Sequence, residues 1–518
     1  MPPKVAQFVG ADEHETARLA FVRVLAGEPA PGFEPGLADA SDRFAVPQKL
    51  YGRRREVATV LETFRRVSDG RSELLLIAGY SGVGKTALIQ EVYEPITERR
   101  GYFAAGKFDQ LQRNVPFSAL VRALRDLVRQ LLSESEERLA AWRHRLLEAV
   151  GANGRVIVDV IPEVELVIGP QEPVPELGSA EAMNRFNLVF ASFIRVFCGG
   201  GRPLVLFLDD LQWADSATLE LLRLMLTDEA TENLLLLGAY RDNEVDALHP
   251  LTAAIERLRE RGATIGRLQL LPLDLADLRQ LVADTLHRDA AEVQRLAELV
   301  MAKTRGNPFF VMQFLEMLHR EGLVSRVAGR WEWDIERIEA AGITDNVVEL
   351  LVEQLRRLPE ATQDALRIAA CVGNRFDLET LALVRRQGAA ETYAALLPAL
   401  DEGLVLPASG LETLDPAEPL SPLLIRHYRF QHDRVQQSAQ ALLRPADEQA
   451  IHLEIGRRLL ASMSPRRLAE RVFDVVDHLD RARELVVDAD ERRWLCELNL
   501  EAGKKAKEAT AYAAARHT

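Results

Sequence analysis

Apolar and polar positions change rhythm along this chain. Between residues 73 and 271 short apolar runs recur: Glu73 to Ala78, Leu204 to Leu208 and Leu234 to Leu237, with Tyr102 to Ala105 weaker and Leu268 to Leu271 closing the set. Runs of that length, separated by longer amphipathic stretches, predict a parallel sheet covered by helices on both faces. After residue 272 the spacing becomes helical. Leu278, Leu281, Val282 and Leu286 form one apolar face, and Val293, Leu296, Leu299 and Val300 form another.

Helices resume between 346 and 445, interrupted by two short segments, Leu404 to Leu406 and His427 to Phe430. Helices followed by a two-stranded wing predict a winged-helix domain. From 446 onward the pattern is helix alone. No capping glycine or proline follows the last helix, about 496–516, so the chain is expected to stop within a helical repeat array or to be part of something longer. Near the start, 11–26 reads as a short helix, and the Gly/Pro-rich stretch that follows reads as a linker. The expected organisation is therefore a helix and linker (1–48), a sheet domain (49–272), a helical lid (273–340), a winged helix (341–445) and a helical, TPR-like tail (446–518).

Composition narrows the function classes. The 518 residues are 47% hydrophobic and 27% charged, which is ordinary globular chemistry. A net charge of -14 argues against a dedicated nucleic-acid binder. The three cysteines are widely spaced, which removes the disulfide-scaffold and zinc-ribbon classes and fits a reducing cytoplasm. No apolar run is long enough for a membrane span, and no signal-peptide pattern opens the chain.

Candidate chemistry concentrates at strand ends. Gly79-Tyr80-Ser81-Gly82-Val83-Gly84-Lys85-Thr86 satisfies G-x-x-x-x-G-K-[ST], following an apolar strand and opening a helix. Glycines allow consecutive backbone N–H groups to face one concavity, and the helix adds its positive end. Lys85 can neutralise outer phosphates, and the Thr86 hydroxyl can ligate Mg²⁺. Asp209 and Asp210 end the run Leu204 to Leu208, at the sheet edge where ligands bind. Asp209 can hold Mg²⁺ and Asp210 can polarise water; capping of the next helix is the alternative. Arg241, after the Leu234 to Leu237 run, can reach a γ-phosphate or simply pair with Asp242 or Glu244. His287-Arg288-Asp289 spells a kinase catalytic tripeptide, but Gln294 stands where that loop needs asparagine.

Taken together, Leu50-Tyr51-Gly52-Arg53, the phosphate loop, LFLDDLQWAD (206–215), GAYRD (238–242) and Gly306-Asn307-Pro308-Phe309-Phe310 resemble the STAND-type ATPases, signal-transduction relatives of the AAA family that include an origin-recognition-like module. GKFDQ (106–110), EAMNRF (181–186) and FQHDRVQQSAQALL (430–443) resemble the ATPase region of bacterial hybrids joining a Ser/Thr protein kinase to sensor histidine-kinase modules. The resemblance implies an α/β P-loop NTPase fold with helical lid, winged helix and helical tail, binding ATP or ADP with Mg²⁺.

By position, residues 79–86 become the Walker A loop, Asp209 and Asp210 the Walker B pair, and Arg241 a γ-phosphate sensor. Pro308 becomes a lid contact to adenine, and Gly52 and Arg53 part of an N-terminal motif near the base. Arg54 stands where that motif has its first glutamate, while Glu56 keeps the second. His432 matches a histidine that reads the β-phosphate of bound ADP, with helix capping as its alternative. The resemblance implies a slowly hydrolysing regulatory switch attached to kinase or histidine-kinase modules, with nucleotide-dependent homo-oligomerisation. Rival readings are a LuxR- or MalT-like regulator with its DNA-binding end elsewhere, a replication-initiator-like DNA-binding ATPase, and a scaffold with a degenerate pocket. The helix before the wing, about 391–402, carries no lysine or arginine, which counts against groove reading.

Overall fold

The computed structural model describes residues 44–508 except 48, 99–100, 110–116, 199–201, 328, 342–346 and 409–426. The helix expected at 11–26 and the end of the last helix lie outside the described residues, as does nearly all of the linker. Five parallel strands form the central sheet: β1 (Glu73–Ala78), β2 (Tyr102–Lys107), β3 (Leu204–Asp209), β4 (Leu234–Tyr240) and β5 (Thr264–Gln269), in the order β2-β3-β4-β1-β5. β1, β3 and β4 are buried throughout, as their unbroken apolar runs require, whereas β2 and β5 are partly exposed edges. Glu73, the one charge opening β1, is buried but receives two hydrogen bonds from Arg66, at 2.9 and 2.6 Å.

The core beside this sheet is strongly aromatic. Phe186, Phe190, Phe193 and Phe197 recur at helical spacing on the helix Ser179–Cys198 and are buried with Phe117 and Trp142. β2 meets its covering helix Ser118–Leu132 closely. A Cβ on Gly106 would lie 2.1 Å from the Ala119 carbonyl oxygen, so only glycine fits there.

The chain clusters into two compact units. One joins residues 53–272 to 346 onward, so the module after residue 346 belongs with the sheet. Its strands 375–377, 427–430 and 405–407 form a three-stranded antiparallel sheet with 427–430 central, rather than the two-stranded wing expected. The extra strand is only three residues long, too short to leave a period. Helices Pro445–Ser462, Pro465–Arg481 and Ala489–Glu508 follow.

The other unit combines 44–52 with 273–341. Within it the Tyr51 hydroxyl donates to Asp284 at 2.8 Å, and Phe44 stacks on His319 at 4.6 Å. A hairpin, Val324–Val327 with Arg330–Trp333, stands where the sequence pattern read only helix. Among the described residues, no helix is long and apolar enough to cross a membrane.

Candidate functional site

Each strand of the sheet's central part delivers one chemical element at its carboxyl end. β1 leads into the phosphate loop, residues 79–84, and then the helix Lys85–Glu98. Gly82 and Gly84 hold φ of 82° and 100°, left-handed values that let the loop curl. Gly79 is held against β5: an added Cβ would lie 2.8 Å from the Leu270 carbonyl oxygen. The Lys85 ammonium lies across the loop, donating to the carbonyls of Gly79 and Tyr80 at 2.7 and 3.0 Å. Burial lowers its pKa. Ser81 is buried and Tyr80 exposed.

Arg53 also serves this loop. Its buried guanidinium donates to the Val83 carbonyl at 3.4 Å and to the carbonyl of Leu271 beyond β5, while pairing with Glu56 at 3.4 Å. It thus ties loop to strand end.

β3 ends in the two aspartates. Thr86 Oγ1 donates to Asp209 Oδ2 at 3.1 Å, and Asp209 Oδ1 accepts from the Asp210 N–H at 3.0 Å. Burial, reinforced by the charge of Asp210, pushes the Asp209 carboxyl up to about 6 against the pull of Lys107 and Lys85. A hydroxyl beside a carboxylate is a hard-oxygen pair that suits Mg²⁺.

Asp210 sits in a left-handed conformation, φ 56°. Its Oδ1 accepts from Gln212 at 2.8 Å and from Arg241 Nε at 3.1 Å. Its Oδ2 faces Lys107 Nζ at 3.3 Å.

Arg241, at the end of β4, is the most connected side chain of the site. It pairs with Asp210, with Glu244 at 3.0 Å and with Asp433, and its guanidinium lies 4.5 Å above the Trp213 ring. Lys107, at the end of β2, pairs with Asp433 at 2.7 Å. Asp433 begins the helix Asp433–Gln440 and also accepts from Asn374 at 2.9 Å. Burial alone would raise its pKa, but Lys107, His432 and Arg241 outweigh that and hold it at about 2.

The neighbouring His432 caps the same helix, its Nδ1 accepting from the Arg434 N–H at 3.0 Å. Burial drops its pKa to about 4, so the ring is neutral at pH 7, with its proton on Nε2.

The structure therefore brings Gly79 to Thr86, Arg53, Asp209, Asp210, Arg241 and His432 into one unit. Gly52 and Pro308 belong to the other. There Gly52 has φ 66°, and an added Cβ would lie 2.0 Å from Asp277 Oδ2. Pro308 opens the helix Pro308–Arg320 behind an Asn307 cap that accepts from Phe309 N–H at 3.2 Å. The kinase-like tripeptide starts at His287, which terminates the helix Leu275–Leu286 in a left-handed conformation.

Sequence reasoning passed over Lys107, Gln212, Trp213, Asn374 and Asp433 as site residues. Four of these fall inside or beside motifs already quoted, GKFDQ, LQWAD and QHD. Their position at or within a few residues of a strand end was the available signal.

Residues 49–237 match the model of the AAA ATPase domain. Hybrid signal transduction histidine kinase G of Dictyostelium discoideum is 31% identical across 94% of this chain and 17% of that protein. A peroxide stress-activated histidine kinase of Schizosaccharomyces pombe is 20% identical across 82% and 19%. The chain thus spans less than a fifth of either relative. Among solved structures, a STAND protein with a tetratricopeptide repeat sensor from Pyrococcus horikoshii overlays 92% of this chain and 56% of its own, with TM-score 0.48 and 13% identity. The Aeropyrum pernix ORC1 protein, solved in complex with DNA, overlays 77% and 94%, with TM-score 0.33 and 15% identity. Over residues 49–237 the chain carries an AAA ATPase domain.

Proposed function

We propose that this chain is an ATP-binding, slowly hydrolysing switch within a signal-transduction protein. One observation carries the reading: the strand-end Arg241 pairs both with the Walker B carboxylate Asp210 and with Asp433, a residue of the C-terminal module, within one compact unit. Groups that sense a terminal phosphate are then mechanically joined to a helix start that lies far along the chain from the sheet. Such coupling suits a regulatory device, because nucleotide states differ chiefly in their γ-phosphate contacts.

In this reading residues 79–84 wrap the phosphates with backbone N–H groups, and Lys85 turns from the loop carbonyls to the β- and γ-phosphates. Thr86 and Asp209 would hold Mg²⁺, which would neutralise charge on the phosphate oxygens. Asp210 orients the attacking water once Arg241 and Lys107 release it, so hydrolysis is slow while those pairs persist. Arg241 meets the γ-phosphate, and His432, neutral with its proton on Nε2, is a donor suited to an ADP β-phosphate. Arg53 keeps the loop shaped. Kinase or histidine-kinase modules, a cytoplasmic location and nucleotide-dependent self-association belong to the same proposal.

The test is to denature freshly purified protein, separate released nucleotide by chromatography, and repeat with Lys85→Ala. ADP near one per chain, lost in the variant, supports the switch. Rapid turnover of added ATP by a protein that retains no nucleotide points to a cycling motor, and a protein that binds no nucleotide leaves only a scaffold.

A further inference from the structure

Four charges at the sheet edge close on themselves. Arg241 pairs with Asp210 at 3.1 Å, Asp210 with Lys107 at 3.3 Å, Lys107 with Asp433 at 2.7 Å, and Asp433 returns to Arg241. Signs alternate around the ring, and each carboxylate bridges both cations through separate oxygens. The side chains of Arg241, Asp210 and Asp433 are 3%, 4% and 13% exposed and that of Lys107 34%, so three of the four members are withdrawn from solvent and the fourth is partly covered. The three buried members hold their charges only while each is matched.

The two cations come from β2 and β4, the strands flanking the β3 end that carries Asp209 and Asp210. β4 is also the neighbour of β1, whose end opens the phosphate loop, and Lys85 is in electrostatic reach of Asp209, Asp210 and Arg241. Asp210 is a fixture of this edge. Asp433 is not: it arrives from a helix start far along the chain, carrying one negative charge on two oxygens to two positive groups.

We propose that Lys107 and Arg241 form a terminal-phosphate site, and that the Asp433 carboxylate is its built-in competitor. Lys107 is thereby a nucleotide-binding residue, reading the γ-phosphate together with Arg241. A γ-phosphate carries more charge and more oxygens than a carboxylate, so it displaces Asp433 from both cations, and the helix Asp433–Gln440 is released with it. ADP has no phosphate to place there and leaves the ring closed. The inference rests on the ATP-switch reading and deepens it by naming what the terminal phosphate competes against.

The experiment titrates the full chain with ADP and with a non-hydrolysable ATP analogue, both with Mg²⁺, by calorimetry. Asp433→Asn keeps the shape and removes the charge; it should raise the analogue's affinity relative to ADP by roughly tenfold, a typical coupling between competing interactions. Lys107→Met should lower that ratio by a similar factor while leaving ADP affinity nearly unchanged. If Asp433→Asn does not fold, Asn374→Ala removes one of the donors to Asp433 and should shift the ratio in the same direction by less. Variants that bind both ligands with the wild-type ratio overturn the inference while leaving the switch intact. Wild-type protein that binds neither ligand overturns the switch reading itself.

Discussion

Asp209→Asn should make the nucleotide-free chain more stable at neutral pH while removing its response to magnesium. Asp209 is buried, and its carboxyl is pushed from the ordinary 3.8 up to about 6, by burial first and the charge of Asp210 second. The folded state therefore holds this proton more tightly than the unfolded chain does. The cost is present in full above pH 6 and fades as pH falls from 6 towards 3.8. A gap of about two units corresponds to roughly 3 kcal/mol. Asparagine cannot ionise, but its single oxygen cannot accept from both Thr86 and Asp210, which forfeits about 1 kcal/mol. The expected balance is a variant more stable by about 2 kcal/mol at pH 8, with the advantage gone near pH 4. Urea unfolding followed by tryptophan fluorescence, with Trp213 next to the site, gives this directly at both pH values. Adding Mg²⁺ with ATP should then stabilise the wild type in proportion to its affinity and the variant much less. A variant that is no more stable than wild type at pH 8 would refute the electrostatic account of Asp209.

Gly106→Ala should loosen β2 from the helix Ser118–Leu132, because its Cβ would stand 2.1 Å from the Ala119 carbonyl; a loss of about 2 kcal/mol is expected in the same unfolding assay. His452 and His478 meet through their Nδ1 atoms at 2.8 Å, buried and with pKa values lowered to about 3 and 4, chiefly by burial. They stay neutral when folded but gain protons near pH 6.5 when unfolded. Stability should thus fall as pH drops from about 6.5 to 4, and the limb should flatten in a His452→Gln, His478→Gln double variant. Thiol labelling of native protein should modify Cys496, which is exposed, and spare Cys198 and Cys371, whose thiols burial pushes up to about 12; peptide mapping of the labelled protein checks this.

How much was legible follows from what each residue needs. β1, β3 and β4 are covered on both faces, so they must be apolar without interruption, and such runs read as strands directly. β5 is half exposed and carries Thr264, Arg267 and Gln269, so its apolar trace was visible only towards its end, at Leu268. The hairpin of residues 324–333 escaped because Arg326, Arg330 and Glu332 dilute it, and among its described residues only Val324 and Trp331 are deeply buried. The phosphate loop was legible because its work is done by backbone, which demands glycine at set positions. The pairing of Lys107 with Asp433 was not, since 326 positions separate them and no local pattern records a contact that only the tertiary fold creates. Arg241 shows the intermediate case. Its strand-end position was readable, whereas the number of its partners was not.

The strand order also fixes a sequence of events during synthesis. β1 pairs with β4 and β5, so the sheet edge cannot be complete until Gln269 has left the ribosome. Asp433 follows only after residues 270–432 have been made, and at typical elongation speeds that takes roughly 10–30 s. For that interval a newborn chain carries a finished phosphate loop and strand ends without the carboxylate that later joins Lys107 and Arg241. If Lys107 and Arg241 take a terminal phosphate as proposed, nucleotide reaches that edge before Asp433 is made, and the first occupant of each molecule follows the cellular nucleotide pool.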